Sequence, residues 1–182
     1  MNAFEIIILK AINSAISCKP LDIIFVFISI LGNKGMLWII LSVILIAFKK
    51  TRKAGICAGI SLIICLLAGN LFLKPVIGRI RPYDFDQTIK LIVASLSDAS
   101  FPSGHTMAAF AFSFAVAHFY KKQAVFFYVV ASLMAFSRIY LMVHYPTDVI
   151  GGVIFGIIFG YIAIKIVERI FKNEIRSNES DS

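Results

Sequence analysis

Long apolar stretches separated by short polar ones run along most of this chain of 182 residues. A helix needs ~20 apolar residues to cross the hydrocarbon core of a bilayer, and the stretches lack the two-residue alternation of barrel strands. Because only helices and closed barrels satisfy their backbone groups in lipid, the pattern predicts an all-α bundle of six transmembrane helices. The first two are the shortest, and the six cover residues 21–31, 35–48, 54–73, 103–120, 123–143 and 147–170.

The two ends of the chain have a different pattern. Residues 1–20 carry a brief apolar run without the basic start of a secretory signal, which favours an interfacial amphipathic helix. Residues 173–182 are polar and predict a frayed tail. We therefore expect an N-terminal interfacial helix over 1–20, a membrane domain over 21–172 and a polar cytoplasmic tail over 173–182.

The composition is that of an integral membrane protein, since 59% of the residues are hydrophobic and the mean hydropathy is +0.89. The net charge of +8 comes largely from two connections and the C-terminal segment, which carry Lys49, Lys50, Arg52, Lys53, Lys121, Lys122, Lys165, Arg169, Lys172 and Arg176. The positive-inside rule places these segments in the cytoplasm. With six spans, both termini are then cytoplasmic in a cell membrane. The charge therefore gives no reason to expect a nucleic-acid partner.

Six small residues in or beside the apolar segments are expected to have structural roles. They are Cys18, Cys57 and Cys65, followed by Gly152, Gly156 and Gly160. The last two cysteines lie ~12 Å apart along one helix, beyond disulfide reach, and all three are interpreted as small buried hydrophobes. The glycines recur every four residues and predict close helix packing within one chain. No feature of the sequence fixes an oligomeric state.

The connection over residues 74–102 begins with KPVIGRIRP and carries Lys74, Arg79 and Arg81. Long basic side chains at helix ends can act as interface anchors. These three, however, fall on the face where the positive-inside rule predicts few positive charges. A requirement other than topology must therefore retain them.

The same connection ends with FPSGH, residues 101–105. A turn followed by a helix start with Ser103 as N-cap explains this motif structurally. The alternative is an anion site, because exposed amides at a helix N-terminus bind anions and Gly104 allows close approach. His105 then lies one helical step inside the site, and the three upstream cations point to phosphate as the anion.

The stretch SRIYLMVHYPTD, residues 137–148, places three ionisable groups among apolar residues. Arg138 could snorkel to the interface, but a charge within a membrane span is a functional hypothesis by default. His144 could be an interface histidine, and Asp148 could complement the dipole of a helix start. Parity of the spans nevertheless brings seven residues to one membrane face in either orientation: Lys74, Arg81, Ser103, His105, Arg138, His144 and Asp148.

These residues closely resemble the motifs of the phosphatidic acid phosphatase type 2 superfamily of membrane lipid phosphatases. That superfamily shares its site with acid phosphatases, glucose 6-phosphatase and vanadium haloperoxidases. The pattern is a lysine, six residues and Arg-Pro; then Pro-Ser-Gly-His; then Ser-Arg, five residues, His, three residues and Asp. Every specified position is matched here, by Lys74, Arg81 and Pro82, by residues 102–105, and by Ser137, Arg138, His144 and Asp148. The match spans residues 74–148 directly.

The resemblance implies a role for each matched residue. His144 would be the nucleophile, oriented by Asp148, and His105 would be the general acid. The phosphoryl oxygens would be bound by Lys74, Arg81, Ser103, the amide of Gly104 and Arg138. The reaction would pass through a phosphohistidine and would need neither a metal nor another cofactor.

Two features of the connection over 74–102 lie outside the motifs. Its only carboxylates are Asp84, Asp86 and Asp98, and the segment DFD is interpreted as a solvated loop rather than a magnesium site. The apolar stretch TIKLIVASL, residues 88–96, is either a lid lying on the membrane or a partly buried loop.

The resulting hypothesis is a membrane hydrolase that removes phosphate from a lipid phosphate or pyrophosphate on the extracytoplasmic face. Similarity to compact bacterial members favours undecaprenyl pyrophosphate, phosphatidylglycerophosphate or phosphatidic acid, so the expected partners are such a substrate and the bilayer. Some undecaprenyl pyrophosphatases of the superfamily carry Pro-Ser-Asp-His and lack the first lysine, whereas this chain has Gly104 and Lys74. The alternatives are a vanadate-dependent haloperoxidase, whose known members are soluble, and a lipid transporter, which would show repeats or midplane charges.

Overall fold

The structure is a computed structural model that describes the backbone of residues 2–180 and the side chains of residues 2–172. Within these bounds the chain is all-helical, and each of the six predicted helices overlaps an observed one. The α-helices are α1 (Asn2–Ile16), α2 (Lys19–Gly32), α3 (Met36–Ala47), α4 (Arg52–Ile64), α5 (Lys74–Ile77), α6 (Pro82–Phe85), α7 (Gly104–Phe119), α8 (Lys121–Tyr140) and α9 (Pro146–Ser180). A 3-10 turn, Asn33–Gly35, joins α2 to α3, and a π-helical segment, Cys65–Leu73, joins α4 to α5.

The prediction of six membrane spans is not confirmed as stated. In the part of the chain that the structure describes, four helical stretches are long and apolar enough to cross a membrane: Lys19–Ala47, Arg52–Phe85, Lys121–Tyr140 and Pro146–Lys172. The first of them combines α2, the 3-10 turn and α3. Helix α7 has 16 residues and is therefore ~24 Å long, shorter than the ~30 Å hydrocarbon core.

Helix α7 lies at the centre of the bundle and packs against α4, α8 and α9. Its contact with α9 is close because glycines face it. A Cβ atom at Gly156 would lie 2.6 Å from the carbonyl oxygen of Met107, and one at Gly152 would lie 2.8 Å from that of Ser103. At Gly160 the nearest atom would be the carbonyl oxygen of Ala111, at 3.0 Å. The predicted packing of these glycines within one chain is confirmed.

The N-terminal helix α1 packs over the end of the bundle where α7 and α9 begin. Glu5 bonds to Thr147 near the start of α9, and Lys10 forms an ion pair with Asp86. At the far end of α9, Lys165 pairs with Glu168. Among the described residues, α1 therefore lies at the end of the bundle where α9 begins, away from Lys165 and Glu168.

Helix α2 follows α1 and packs against α8. Its first turn bonds to the end of α8, through Cys18 and Asp22 with the hydroxyl of Tyr140. Its last residue is followed by Asn33, whose side chain contacts His105 near the start of α7. Both ends of α2 therefore lie near the end of the bundle where α8 ends and α7 begins.

The cysteine prediction is confirmed in part, because Cys57 and Cys65 are buried while Cys18 is exposed. The predicted tail over 173–182 lies where side chains are outside the described residues, although the backbone of α9 is helical through Ser180.

Candidate active site

The third motif folds around the connection between α8 and α9, residues 141–145. The carbonyl oxygen of Arg138 accepts hydrogen bonds from the backbone amides of Val143 at 3.2 Å and His144 at 3.4 Å. Met142 has a positive φ of 53°, so the chain reverses sharply there. His144 is thereby fixed at the end of the bundle with 1% of its surface exposed.

His144 lies beside the buried carboxylate of Asp148. Its Nδ1 is 3.4 Å from Oδ2 of Asp148, and that oxygen also accepts hydrogen bonds from the amide of Tyr145 at 2.9 Å and from the hydroxyl of Ser100. Burial lowers the pKa of His144 to about 4, against the effect of Asp148 and in the same direction as the charge of Arg81. The imidazole is therefore neutral at neutral pH, and a proton on Nδ1, facing the carboxylate, leaves the lone pair on Nε2.

Arg81 of the first motif lies beside His144, and both Arg81 and Lys74 bind the carboxylate of Asp98. Nη1 of Arg81 lies 3.4 Å from Nε2 of His144 and donates a hydrogen bond to the carbonyl of Val143 at 2.8 Å. Nη2 of Arg81 donates to Oδ1 of Asp98 at 2.6 Å, and Lys74 forms an ion pair with Oδ2. Both cations are buried, while 52% of the Asp98 side chain is exposed.

Asp98 is held in its charged form by this pair. Burial alone would raise its pKa, but the hydrogen bonds and charges of Lys74 and Arg81 lower the pKa to about 2. The carboxylate of Asp98 thus binds Lys74 and Arg81, two of the three cations that the family resemblance assigns to the phosphoryl group.

The third cation, Arg138, has a free donor. The residue is 1% exposed, its Nε donates a hydrogen bond to Oγ of Ser137 at 3.1 Å, and its Nη2 has no partner among the described residues. A buried guanidinium is costly unless its charge is paired. Arg138 therefore favours binding of an anion at this point.

The second motif is joined to the third through the backbone. The amide of Ser103 donates a hydrogen bond to the carbonyl oxygen of Asp148 at 3.0 Å. Ser103 is the N-cap residue of α7, as predicted, but its hydroxyl accepts a hydrogen bond from Thr106 and does not cap the first turn. A Cβ atom at Gly104 would lie 2.9 Å from Oδ1 of Asn70, so a larger residue there would displace the Asn70 amide.

The second histidine, His105, lies in the first turn of α7. Its Nε2 is 3.3 Å from Oδ1 of Asn33, and its ring lies against Gly32, where an added Cβ would be 2.6 Å from the ring carbon Cδ2. The end of α2 thus contacts the ring of His105 through Gly32 and Asn33, and the turn that follows has positive φ values at Lys34 (52°) and Gly35 (72°).

The structure brings the predicted residues to one end of the bundle. Contacts link Lys74, Arg81, Ser103, Arg138, His144 and Asp148 into one group, and Gly104 and His105 follow directly from Ser103. Sequence reasoning missed Ser100 and Asn33, which carry no signal beyond being polar residues in turns. It noticed Asp98 and Arg79 as charges but assigned neither a partner.

The connection over 74–102 is folded onto the site and α1. Ile89 is buried in a cluster with Ile6 and Leu9 of α1, and Leu91 and Val93 pack against the same cluster. The stretch 88–96 is thus a partly buried loop, one of its two predicted forms. Asp84 is exposed, while Asp86 pairs with Lys10 of α1.

Comparison with known proteins gives consistent results. A family model described as the PAP2 superfamily matches residues 54–172. The undecaprenyl-diphosphatase of Sulfolobus acidocaldarius is 30% identical over 164 residues, which are 90% of this chain and 78% of that protein. The crystal structure of a transmembrane PAP2-type phosphatidylglycerolphosphate phosphatase from Bacillus subtilis has a TM-score of 0.70 and 28% identity, over 92% of this chain and 86% of that one. Aquifex aeolicus LpxE has a TM-score of 0.71 and 28% identity, over 87% and 93%.

The region matched by the family model contains all three motifs, and the family resemblance predicted from them is confirmed. The relatives are hydrolases that act on phosphate esters and diphosphates. This chain therefore belongs to the PAP2 superfamily and is a membrane lipid phosphatase.

Proposed function

We propose that this protein hydrolyses a lipid phosphate or lipid diphosphate through a phosphohistidine on His144. The observation that carries the proposal is the contact of His144 with Asp148 beside three buried cations, Lys74, Arg81 and Arg138. A neutral imidazole oriented by a carboxylate is an activated nucleophile. Three cations match the charge of a phosphoryl group and stabilise it as phosphorus is attacked.

In the first step, the lone pair on Nε2 of His144 forms a bond to phosphorus while the bond from phosphorus to the departing oxygen breaks. The Nδ1 proton faces Asp148, so that carboxylate stabilises the positive charge that develops on the ring. The phosphoryl group displaces Asp98 from Lys74 and Arg81 and accepts hydrogen bonds from the free Nη2 of Arg138.

His105 supplies the proton for the departing oxygen, a step that typically contributes about 10²- to 10⁴-fold to the rate. In the second step, water attacks the phosphohistidine, His105 takes a proton from that water, and the Nε2–phosphorus bond breaks. Inorganic phosphate leaves and His144 returns to its neutral form.

The tail of the substrate stays in the bilayer during this cycle. Exposed apolar side chains flank the first motif at Ile77, Ile80 and Phe85, so a lipid phosphate reaches Arg81 without leaving the membrane. The match to the relative named undecaprenyl-diphosphatase covers 90% of this chain. This match favours a polyprenyl diphosphate as the substrate proposed here. Phosphatidylglycerophosphate and phosphatidic acid are the other members of the proposed substrate class.

We place the site on the extracytoplasmic face. At the opposite end, Lys49 and Lys50 lie in the turn before α4 and Lys53 in its first turn, and the carbonyl of Lys50 accepts a hydrogen bond from Tyr120 just before α8. The positive-inside rule assigns that end to the cytoplasm. The segments that cross are then the stretch Lys19–Ala47, α4 with the π-helical segment, α7, α8 and α9, while α1 stays on the site face.

The test is phosphate release by the purified full-length protein in mixed micelles of undecaprenyl diphosphate, phosphatidylglycerophosphate or phosphatidic acid. His144→Ala is expected to abolish release and any acid-labile phosphoenzyme. The matched control is His118→Ala, since His118 pairs with Glu168 far from the site, and it is expected to keep wild-type turnover. Near-native turnover by His144→Ala would overturn the mechanism.

A further inference from the structure

Arg79 lies between Lys74 and Arg81 in the first motif, but its side chain contacts a different set of groups. Nη1 donates hydrogen bonds to Oγ1 of Thr147 at 2.6 Å and to Oδ1 of Asp148. Nη2 donates to Oδ1 of Asn2 at 3.0 Å and to Oε2 of Glu5. Only 11% of its side chain is exposed, and it forms two ion pairs. The proposed reaction nevertheless assigns this arginine no role.

Glu5 completes the group from α1. Its Oε1 accepts hydrogen bonds from the amide of Thr147 at 3.0 Å and from the hydroxyl of Thr147 at 2.7 Å. One carboxylate of α1 thus binds the first turn of α9 and Arg79 together. The guanidinium of Arg79 also lies over the ring of Tyr145, 4.0 Å from its centroid, which fixes its plane.

We propose that Arg79 and Glu5 are positioning residues, in which Arg79 holds Asp148 and Glu5 holds Arg79. This inference rests on the proposed roles of His144 and Asp148. The two oxygens of Asp148 have separate partners, because Oδ1 faces Arg79 while Oδ2 faces His144 and Ser100. Arg79 therefore acts on His144 through the carboxylate and does not bind the phosphoryl group.

Negative and positive charges alternate along the contacts from Glu5 through Arg79 to Asp148. Each substitution should therefore shift the protonation of His144 in a predictable direction. Removing the charge of Arg79 leaves Asp148 and Glu5 uncompensated, which favours protonated His144. Removing the charge of Glu5 leaves Arg79 freer to neutralise Asp148, which disfavours protonated His144. The other titratable or charged groups that act near His144 are the same in every variant: Lys74, Arg81 and His105.

The experiment compares Arg79→Gln, Arg79→Lys and Glu5→Gln with the wild type in the full-length protein. The readout is phosphate release from one lipid phosphate that the wild type hydrolyses. We expect Arg79→Gln to lower kcat by about 10- to 100-fold with little change in KM, as is usual when a group that orients a reacting residue is lost. Arg79→Lys should restore part of this loss, because it keeps the charge but not the fork of donors.

The pH profile separates positioning from a merely structural role. The acidic limb of kcat/KM reports protonation in the free enzyme, and ionisation of the substrate is common to all variants. We expect the limb to move to higher pH in Arg79→Gln and to lower pH in Glu5→Gln. A purely structural contact would lower activity without moving the limb in opposite directions.

The matched control is Lys10→Gln, which breaks another contact of α1, with Asp86 at 2.7 Å and Thr88 at 2.8 Å. It is expected to leave kcat and the acidic limb unchanged. Wild-type kcat in Arg79→Gln, an equal loss in Lys10→Gln, or a rise in KM alone would overturn the inference. If Arg79→Gln does not fold, the direction of the shift in Glu5→Gln decides.

These outcomes differ from failure of the proposed function. In that case the wild type would release no phosphate, or His144→Ala would remain active. With an active wild type and an inactive His144→Ala, the variants of Arg79 and Glu5 test the positioning role alone.

Discussion

At the scale of single residues, the site is organised by the pairing of buried charges. Lys74 and Arg81 hold Asp98, Arg79 holds Asp148, and Arg138 keeps one nitrogen without a partner among the described residues. Since an unpaired buried charge costs several kcal/mol, the uncompensated guanidinium is the point at which an incoming anion gains most. Under the proposed function, this guanidinium would bind the charged head group of the substrate.

The role of His105 as general acid predicts an effect that depends on the leaving group. His105→Ala should slow hydrolysis of phosphatidic acid more than hydrolysis of undecaprenyl diphosphate, because an alkoxide needs a proton to depart and a phosphate monoester anion needs it far less. We expect a loss of about 10²- to 10⁴-fold for the monoester. Turnover of both lipids by the same preparation measures this, and equal losses would remove the acid role.

Asp98 predicts a second effect at this scale. Asp98→Asn should strengthen inhibition by inorganic phosphate by about 10-fold, since the anion no longer competes with a carboxylate for Lys74 and Arg81. The measurement is the competitive inhibition constant of phosphate, with Asp86→Asn as the control in the same loop. Weaker inhibition in Asp98→Asn would mean that Asp98 supports the cations instead of competing with the anion.

The pH dependence follows from the environment of His144. Burial lowers its pKa to about 4, so the neutral nucleophile persists below the ordinary histidine value of ~6.5 and is lost only as the pH falls toward 4. We expect the limb of kcat/KM that belongs to His144 to lie below pH 6. An acidic limb at about pH 6.5 that persists when each of the other histidines is substituted would contradict the buried, neutral imidazole of His144.

The resemblance to the family motifs predicted which residues meet at this site, and it did not predict their partners in space. His105, His144 and Asp148 were identified because their motifs match the superfamily pattern. Ser100 and Glu5 contact Asp148 and Arg79 from segments whose sequence carries no such pattern. Their roles depend on how the loop and α1 fold over the bundle, which only the tertiary structure shows.

At the scale of elements, the close approach of α7 and α9 positions the second and third motifs against each other. The backbone bond from Ser103 to Asp148 requires that the two helices start side by side. The glycines of α9 allow this because their missing side chains leave room for the carbonyl oxygens of α7. Packing of two helices thus sets the distance between groups of the active site.

Gly156→Ala should therefore destabilise the protein by about 1–3 kcal/mol, a typical cost of overpacking, because the added Cβ would lie 2.6 Å from a backbone oxygen of α7. Gly59→Ala on α4 is the matched control, since nothing lies within 4 Å of its added Cβ. That change should be neutral or stabilising by up to ~1 kcal/mol. Thermal unfolding in detergent measures both, and equal Tm values would contradict the packing argument.

The elements were predictable where apolar length decides and not where topology does. Continuous apolar runs located α3, α4, α7, α8 and α9, since a helix in lipid needs little else. The same rule treated α2 and α3 as two crossings, whereas the structure joins them in one stretch long enough to cross, Lys19–Ala47. Runs of 14 and 12 residues are each shorter than the ~20 that a span needs, and hydropathy does not show that a short turn joins them.

At the scale of the whole molecule, the two ends of the bundle differ: one holds the candidate active site, and the other carries a cluster of lysines. The site, α1 and the connection over 74–102 lie at the first, and the turn over 49–53 lies at the second. With the crossings proposed above, α1 and the end of α9 would face opposite sides of the membrane.

This arrangement makes Cys18 a natural reporter of topology. Cys18 is exposed at the site end, whereas Cys57 and Cys65 are buried, so a membrane-impermeant maleimide should label Cys18 alone in intact cells. In a Cys18→Ser background, Lys50→Cys should be labelled only after the membrane is permeabilised. If Lys50→Cys were labelled in intact cells and Cys18 were protected, the site would face the cytoplasm. Labelling of both without permeabilisation would contradict the assignment of these two positions to opposite ends.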